Sequence, residues 1–350
     1  MISIGSWKER DGTSGCGPES HAKLRNARDY LASLLTLLWL PLPLILLCLL
    51  SPCPTSAQQP SQTPTPAPAR TGKSYSSGGP ANAPPAPRPQ AQSPVTFSDI
   101  TRESNINFRH EASSTSSKYL IEAMGGGVAM FDYDNDGRMD LFFTNGALLK
   151  DPMPKGEAPD KRDQKYWNRL YHQKKDGTFE DVTEASGLKG EGYSMGVAAA
   201  DYDNDGYTDL YVTGYGGNHL YHNNKDGTFT DVTKKLGVAA SGWSTSAAWL
   251  DYDRDGKLDL FVARYLEWDF ESGSIYCGDT RPGYRAYCHP DNFRGATNIL
   301  YHQKADGSFE DVSAQAGIAE PGGKALGVAL ADFDNDGLLD IFVANDSVRQ

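Results

Sequence analysis

Four short loops in this 350-residue chain carry aspartate at positions 1, 3, 5 and 9. The first, DYDNDGRMD, supplies Asp132, Asp134, Asp136 and Asp140. The second supplies Asp201, Asp203, Asp205 and Asp209, and the third Asp251, Asp253, Asp255 and Asp259. The fourth supplies Asp332, Asp334, Asp336 and Asp340. Glycine holds position 6 in each, where a sharp turn is required. Position 7 is Arg138, Tyr207, Lys257 or Leu338, and is expected to offer only its backbone carbonyl. Hard oxygen donors at this spacing suit Ca²⁺, which takes six to eight oxygens. Mg²⁺ suits them less, because it keeps several waters and demands octahedral geometry. An EF-hand would place a bidentate Glu at position 12. Here position 12 is Phe143, Val212, Val262 or Val343, so the fourth Asp must replace it. The plain alternative is a solvated acidic turn at the end of a hairpin.

The residues around the loops define what must hold them. A small-residue apolar strand precedes each: GGGVAMF, MGVAAA, STSAAWL, ALGVALA. A second apolar strand follows: DLFFTNG, DLYVTGY, DLFVARY, DIFVAND. Three units then add a hairpin: NRLYHQKKDGTFEDVT from Asn168, NHLYHNNKDGTFTDVT from Asn218 and NILYHQKADGSFEDVS from Asn298. Its Asp-Gly dipeptide supplies the positive φ of a tight turn. Each unit is therefore four short antiparallel strands, with loop starts 69, 50 and 81 residues apart. Four strands in about 50 residues suit a propeller blade. The predicted fold class is all-β, a β-propeller of about three and a half repeats at 120–188, 189–238, 239–318 and 319–350. A β-sandwich is the alternative, but it would not repeat one loop at the same place in every unit. Residues 97–101, FSDIT, match the last strand of a repeat and are expected to be an orphan final strand that completes the last blade of the propeller and removes a free edge. With a fourth unit stopping after DIFVAND, the chain reads as an amino-terminal piece of a longer protein.

These motifs resemble the FG-GAP/VCBS repeat of integrin α-subunit propellers. EAMGGGVAMFDYDNDG and STSAAWLDYDRDGKLDLFVARYLEW are similar to the cartilage acidic protein family, some members of which carry an ASPIC/UnbV domain. The resemblance covers residues 95–350. It implies a seven-bladed calcium-binding propeller, of which the remaining blades and the ASPIC/UnbV region are not in this sequence.

The first 94 residues read differently. Residues 1–29 are a polar tail, and 30–57 hold the apolar run LASLLTLLWLPLPLILLCLL. That run is expected to be a signal peptide, with TSA before Gln58 as a cleavage site, or else a membrane anchor. Lipid attachment at Cys53 is disfavoured by Pro52. Residues 58–94 are rich in Pro, Ala, Ser and Gln and read as an extended linker. A secreted, periplasmic or cell-surface location follows. Net charge is −12, which argues against a nucleic-acid partner. Membrane contact is expected only through the amino-terminal run. Of five cysteines, Cys277 and Cys288 alone fall in the repeats. In an oxidising compartment they pair, and otherwise they are two free thiols.

Catalytic readings are weak. GYSMG, residues 192–196, matches a nucleophile elbow, but a strand rather than a helix should follow Ser194. The third unit has GWSTS at the same place. His172, His222 and His302 each follow Leu-Tyr and read as packing or surface residues. His110 and Glu111 form a local contact or part of a site. Insertions at 147–166 and 266–297 interrupt the repeat, and the second is rich in aromatics. It either binds a partner or packs on its own blade. The expected function is a calcium-binding adhesion module, not an enzyme, with a protein or glycan ligand. The alternative is the scaffold of an enzyme or biosynthetic protein whose active domain lies beyond Gln350.

Overall fold

In the computed structural model, residues 95–347 are described, apart from Pro282, Glu320 and Pro321. The polar tail, apolar run and linker predicted for residues 1–94 lie outside them. Among the described residues no helix is long and apolar enough to cross a membrane.

The first sheet runs β1 (Val128–Phe131), β2 (Asp140–Phe143), β3 (Arg169–Gln173), β4 (Phe179–Asp181), each antiparallel to the next. The second runs β5 (Tyr193–Ala200), β6 (Asp209–Tyr215), β7 (His219–Asn223), β8 (Phe229–Asp231). The third joins β9 (Ser244–Leu250) and β10 (Asp259–Arg264) to β13 (Ile299–Gln303) and β14 (Phe309–Asp311). A two-residue hairpin, β11 (Cys277–Gly278) and β12 (Arg285–Ala286), projects from the insertion between β10 and β13. Strands β15 (Ala325–Ala331) and β16 (Asp340–Asn345) begin a fourth unit. The chain is all-β and propeller-like, as the repeat predicted.

The sheets pack face to face, and three hydrophobic clusters lie between successive sheets. Phe142 and Leu170 of the first sheet meet Leu210, Val212, Tyr221 and Phe229 of the second. Tyr211 and Leu220 meet Leu260, Val262, Ile299 and Tyr301 of the third. Phe261 and Leu300 then meet Ala325 and Ile341. Burying these side chains on both faces is the main force holding blade to blade.

The small residues before each acidic loop now have a geometric reason. A Cβ on Gly196 would stand 2.5 Å from the carbonyl oxygen of Thr245, and one on Gly127 would stand 3.0 Å from the Cα of Gly196. The first strands of neighbouring sheets therefore touch backbone to backbone. Hydrogen bonds tie them: Gly127 N donates to Met195 O at 2.6 Å, and Thr245 Oγ1 to Ala325 O at 2.7 Å.

One expected strand finds no partner here, and one feature comes unannounced. Residues 97–101 form no strand; Phe97 is 97% exposed and the segment is irregular. What the sequence match encodes there is only the turn that follows a fourth strand. Thr101 N donates to Asp99 Oδ1 at 3.0 Å, as Thr183 N does to Asp181 Oδ1. A strand also needs a ladder partner, and here none is paired to it among the described strands. The sheets are also followed by single-turn helices, α1 (Thr183–Ser186) and α2 (Thr233–Leu236), which no strand pattern announces. Each ends on a left-handed glycine, Gly187 or Gly237.

Candidate metal centre

Each acidic loop bridges the first and second strands of its sheet. The residue before the first Asp pairs with the fourth: Phe131 with Asp140, Ala200 with Asp209, Leu250 with Asp259, Ala331 with Asp340. Between these closing pairs the turn is held the same way four times. The first Asp accepts the amides of positions 5 and 6, at 3.1 and 2.8 Å in the first loop. The others repeat this at 2.9 and 2.8, 3.1 and 3.0, and 3.1 and 2.9 Å. Position 7 donates its amide to the third Asp, at 2.8–2.9 Å in all four.

The fourth Asp does something different. Asp140, Asp209 and Asp259 have no solvent exposure, and Asp340 is nearly buried. One oxygen accepts the amide of position 2: Tyr133 at 3.1 Å, Tyr202 at 3.3 Å, Tyr252 at 3.2 Å, Phe333 at 2.9 Å. In the three complete sheets the other oxygen accepts an amide of the third strand, from Gln173, Asn223 or Gln303, each at 2.8 Å. This residue fastens the loop to the sheet.

His172, His222 and His302, expected as packing or surface residues, lie beside the loops. Leu141 pairs with Tyr171, which sets Asp140 opposite His172. His172 Nδ1 lies 3.1 Å from Asp140 Oδ1, His222 Nδ1 3.3 Å from Asp209 Oδ1, and His302 Nδ1 3.1 Å from Asp259 Oδ1. The signal was present in the sequence: Leu-Tyr-His beside Asp-Leu fixes this register once the strands are paired. Arg138 and Lys257 also do more than offer a carbonyl. Their side chains fold back onto Asp136 and Asp255, and Lys225 reaches Asp205 at 3.2 Å.

The donor set fits a hard cation. Carboxylate oxygens of Asp132, Asp134 and Asp136 lie within 4.8 Å of one another, as do those of Asp201, Asp203 and Asp209. Groups of two Asp and one His form in the three complete sheets on the same criterion. Asp134 Oδ1 is buried with no hydrogen-bond partner, an oxygen left for a cation. Burial, with the Asp205 and Asp201 charges adding to it, raises the pKa of Asp203. Burial raises Asp140, and lifts Asp209 to about 7 and Asp259 to about 6. These are carboxylates that gain from a cation beside them.

The loops are also linked to one another. Asn135 Nδ2 donates to Gly206 O at 2.8 Å, and the Arg254 guanidinium donates to Gly337 O. Asn223 Nδ2 reaches Tyr133 O at 2.8 Å, and Gln303 Nε2 reaches Tyr202 O at 3.1 Å.

The two insertions leave the sheets at the end opposite the acidic loops, because they follow second strands. Cys277 and Cys288 are joined in a disulfide that closes the β11–β12 hairpin. The aromatics divide between packed and exposed positions. Trp268 and Phe270 are buried against Tyr119, Tyr215 and Trp243, whereas Tyr276, Tyr284 and Tyr287 are exposed. Ser194 is buried within β5 and no helix follows, so no nucleophile elbow forms. Its hydroxyl accepts from Lys161 Nζ at 3.2 Å. That buried ammonium also donates to the carbonyls of Asn145, Gly146 and Gly192 at 2.6, 2.9 and 3.2 Å. Burial lowers the Lys161 pKa to about 7. Lys161 pins the first insertion between two sheets, and nothing in its sequence context marks it. Burial, then the Lys161 charge, lowers His110 as well, while Glu111 pairs with Arg109 at 3.2 Å.

The FG-GAP-like repeat family matches residues 158–212, 201–262 and 289–343. Each match ends at position 12 of an acidic loop. Cartilage acidic protein 1 of Homo sapiens is 47% identical to this chain over 55 residues, which is 16% of this chain and 8% of that protein. The same-named proteins of Mus musculus and Xenopus tropicalis are 46% and 42% identical over 55 residues, with the same coverage.

Proposed function

We propose, from the premise that this is an FG-GAP-like repeat chain similar to cartilage acidic protein 1 over one short stretch, that it is a calcium-braced binding module of the cell exterior. The observation that carries this is the same four-carboxylate loop, held by the same amide pattern, at one end of each of the four repeat units. Its ligands in this reading are the four aspartates of each loop and the backbone carbonyls of Arg138, Tyr207, Lys257 and Leu338. The three histidines add a neighbouring donor. Bound Ca²⁺ would neutralise the clustered carboxylates; the protein's part is to fix them in place and to present the opposite end to a protein or glycan. Residues 30–57, as leader or anchor, and 58–94, as spacer, suit an exterior location, where calcium fills even sites of about 10⁻⁴–10⁻³ M. Calorimetric titration at neutral pH tests this. Saturable calcium binding in that range, reduced by one site in Asp201→Ala, is expected. Absence of binding at millimolar calcium refutes it.

A further inference from the structure

The end of the molecule remote from the acidic loops holds a cleft of about 620 Å³ between the two insertions. Its size falls in the range of small-ligand and side-chain pockets. Tyr119, Tyr215 and Phe270 line it, with ring centroids of Tyr119 and Tyr215 lying 5.0 and 5.2 Å from that of Phe270. The faces of such rings carry partial negative charge. Asp269 and Glu271 stand on the same wall, and Glu157 on the opposite side is paired with Lys150. Lys155 is the one cation lining the cleft among the described residues. It reaches from the first insertion to Glu271 of the second, 2.8 Å away, and both side chains are mostly exposed. The cleft thus already draws an ammonium group onto its acidic wall, through a pair weak enough to be exchanged.

We propose that this cleft recognises an alkylammonium group, namely a lysine side chain of a partner protein, which displaces Lys155 from Glu271 and lies against the half-buried ring of Tyr215, backed by the buried rings of Tyr119 and Phe270. The chemistry is cation–π attraction joined to a carboxylate contact. Lys155 acts as the resident competitor, and the rigid floor keeps the cost of ordering low. This inference rests on the reading of the chain as a binding module and names the partner's chemistry.

The test is a fluorescence titration of the full chain in saturating calcium, with Trp268 against Phe270 as reporter. The probes are hexalysine, hexalysine acetylated on every side chain, and tetramethylammonium. Saturable binding of hexalysine, absent for the acetylated peptide, is expected. Glu271→Gln should weaken it and Lys155→Ala should tighten it, each by about twofold to fivefold, the worth of one exposed ion pair. Glu180→Gln, an exposed acid on β4, should change nothing. Equal binding of the acetylated peptide, equal weakening by Glu180→Gln, or no saturable binding overturns the proposal. Saturation by tetramethylammonium without hexalysine binding would assign the cleft to a free amine instead and overturn the partner-protein form. Any of these failures leaves calcium binding at the far end to stand or fall on its own titration.

Discussion

Asp201 and Asp209 belong to one loop, yet the structure assigns them different work, and substitution should separate it. Asp209 is fully buried and accepts two buried amides, from Tyr202 and Asn223. Asp209→Ala strands both donors, at about 1–3 kcal/mol each. Part of that loss is offset, because burial already makes this carboxylate costly to ionise and holds its pKa at about 7. The net loss in chelator should therefore sit near the lower bound, about 2 kcal/mol. Asp201 accepts the amides of Asp205 and Gly206 at the rim, where water can take over. Asp201→Ala should cost less than about 1 kcal/mol in chelator. In 5 mM calcium both variants should also lose their site's contribution, about 1–2 kcal/mol for a dissociation constant near 10⁻⁴–10⁻³ M. Urea unfolding of both variants, with and without calcium, reads these numbers. If Asp209→Ala is no less stable than Asp201→Ala in chelator, the fastening role assigned to the fourth aspartate is wrong.

Other expectations are more local. Gly196→Ala should destabilise by about 1–3 kcal/mol in denaturant, because its Cβ would meet the Thr245 carbonyl; a neutral effect would mean the inner strands can separate. Lys161 has a folded-state pKa near 7, below its unfolded value, so the folded state holds fewer protons above pH 7. Stability should rise with pH from about 7 through 10, relative to Lys161→Met at each pH, and parallel pH profiles would refute the lowered Lys161 pKa. Non-reduced peptide mapping should find Cys277 joined to Cys288, and free thiols there would overturn the pairing.

The fold was readable because its signals are local. Asp-Gly turns specify the hairpins, and Gly177, Gly227 and Gly307 take the positive φ that this requires. The carboxylate spacing likewise gathers four aspartates at one turn without knowledge of anything distant. What escaped was set by pairing between segments far apart in sequence. His172 meets Asp140 only through the β2–β3 register, and Lys161 finds its carbonyls across two sheets. FSDIT forms no strand here for the same reason: strand formation depends on a neighbour, and the last blade it is expected to complete is not among the described strands. The cleft is the extreme case, since its walls come from insertions more than a hundred residues apart.

Calcium is the claim on which the rest depends. Thermal unfolding of the full chain at neutral pH, in excess chelator and then in 5 mM calcium, tests it most directly. A higher midpoint is expected in calcium, and magnesium should not reproduce it. An identical midpoint in chelator and calcium would contradict it.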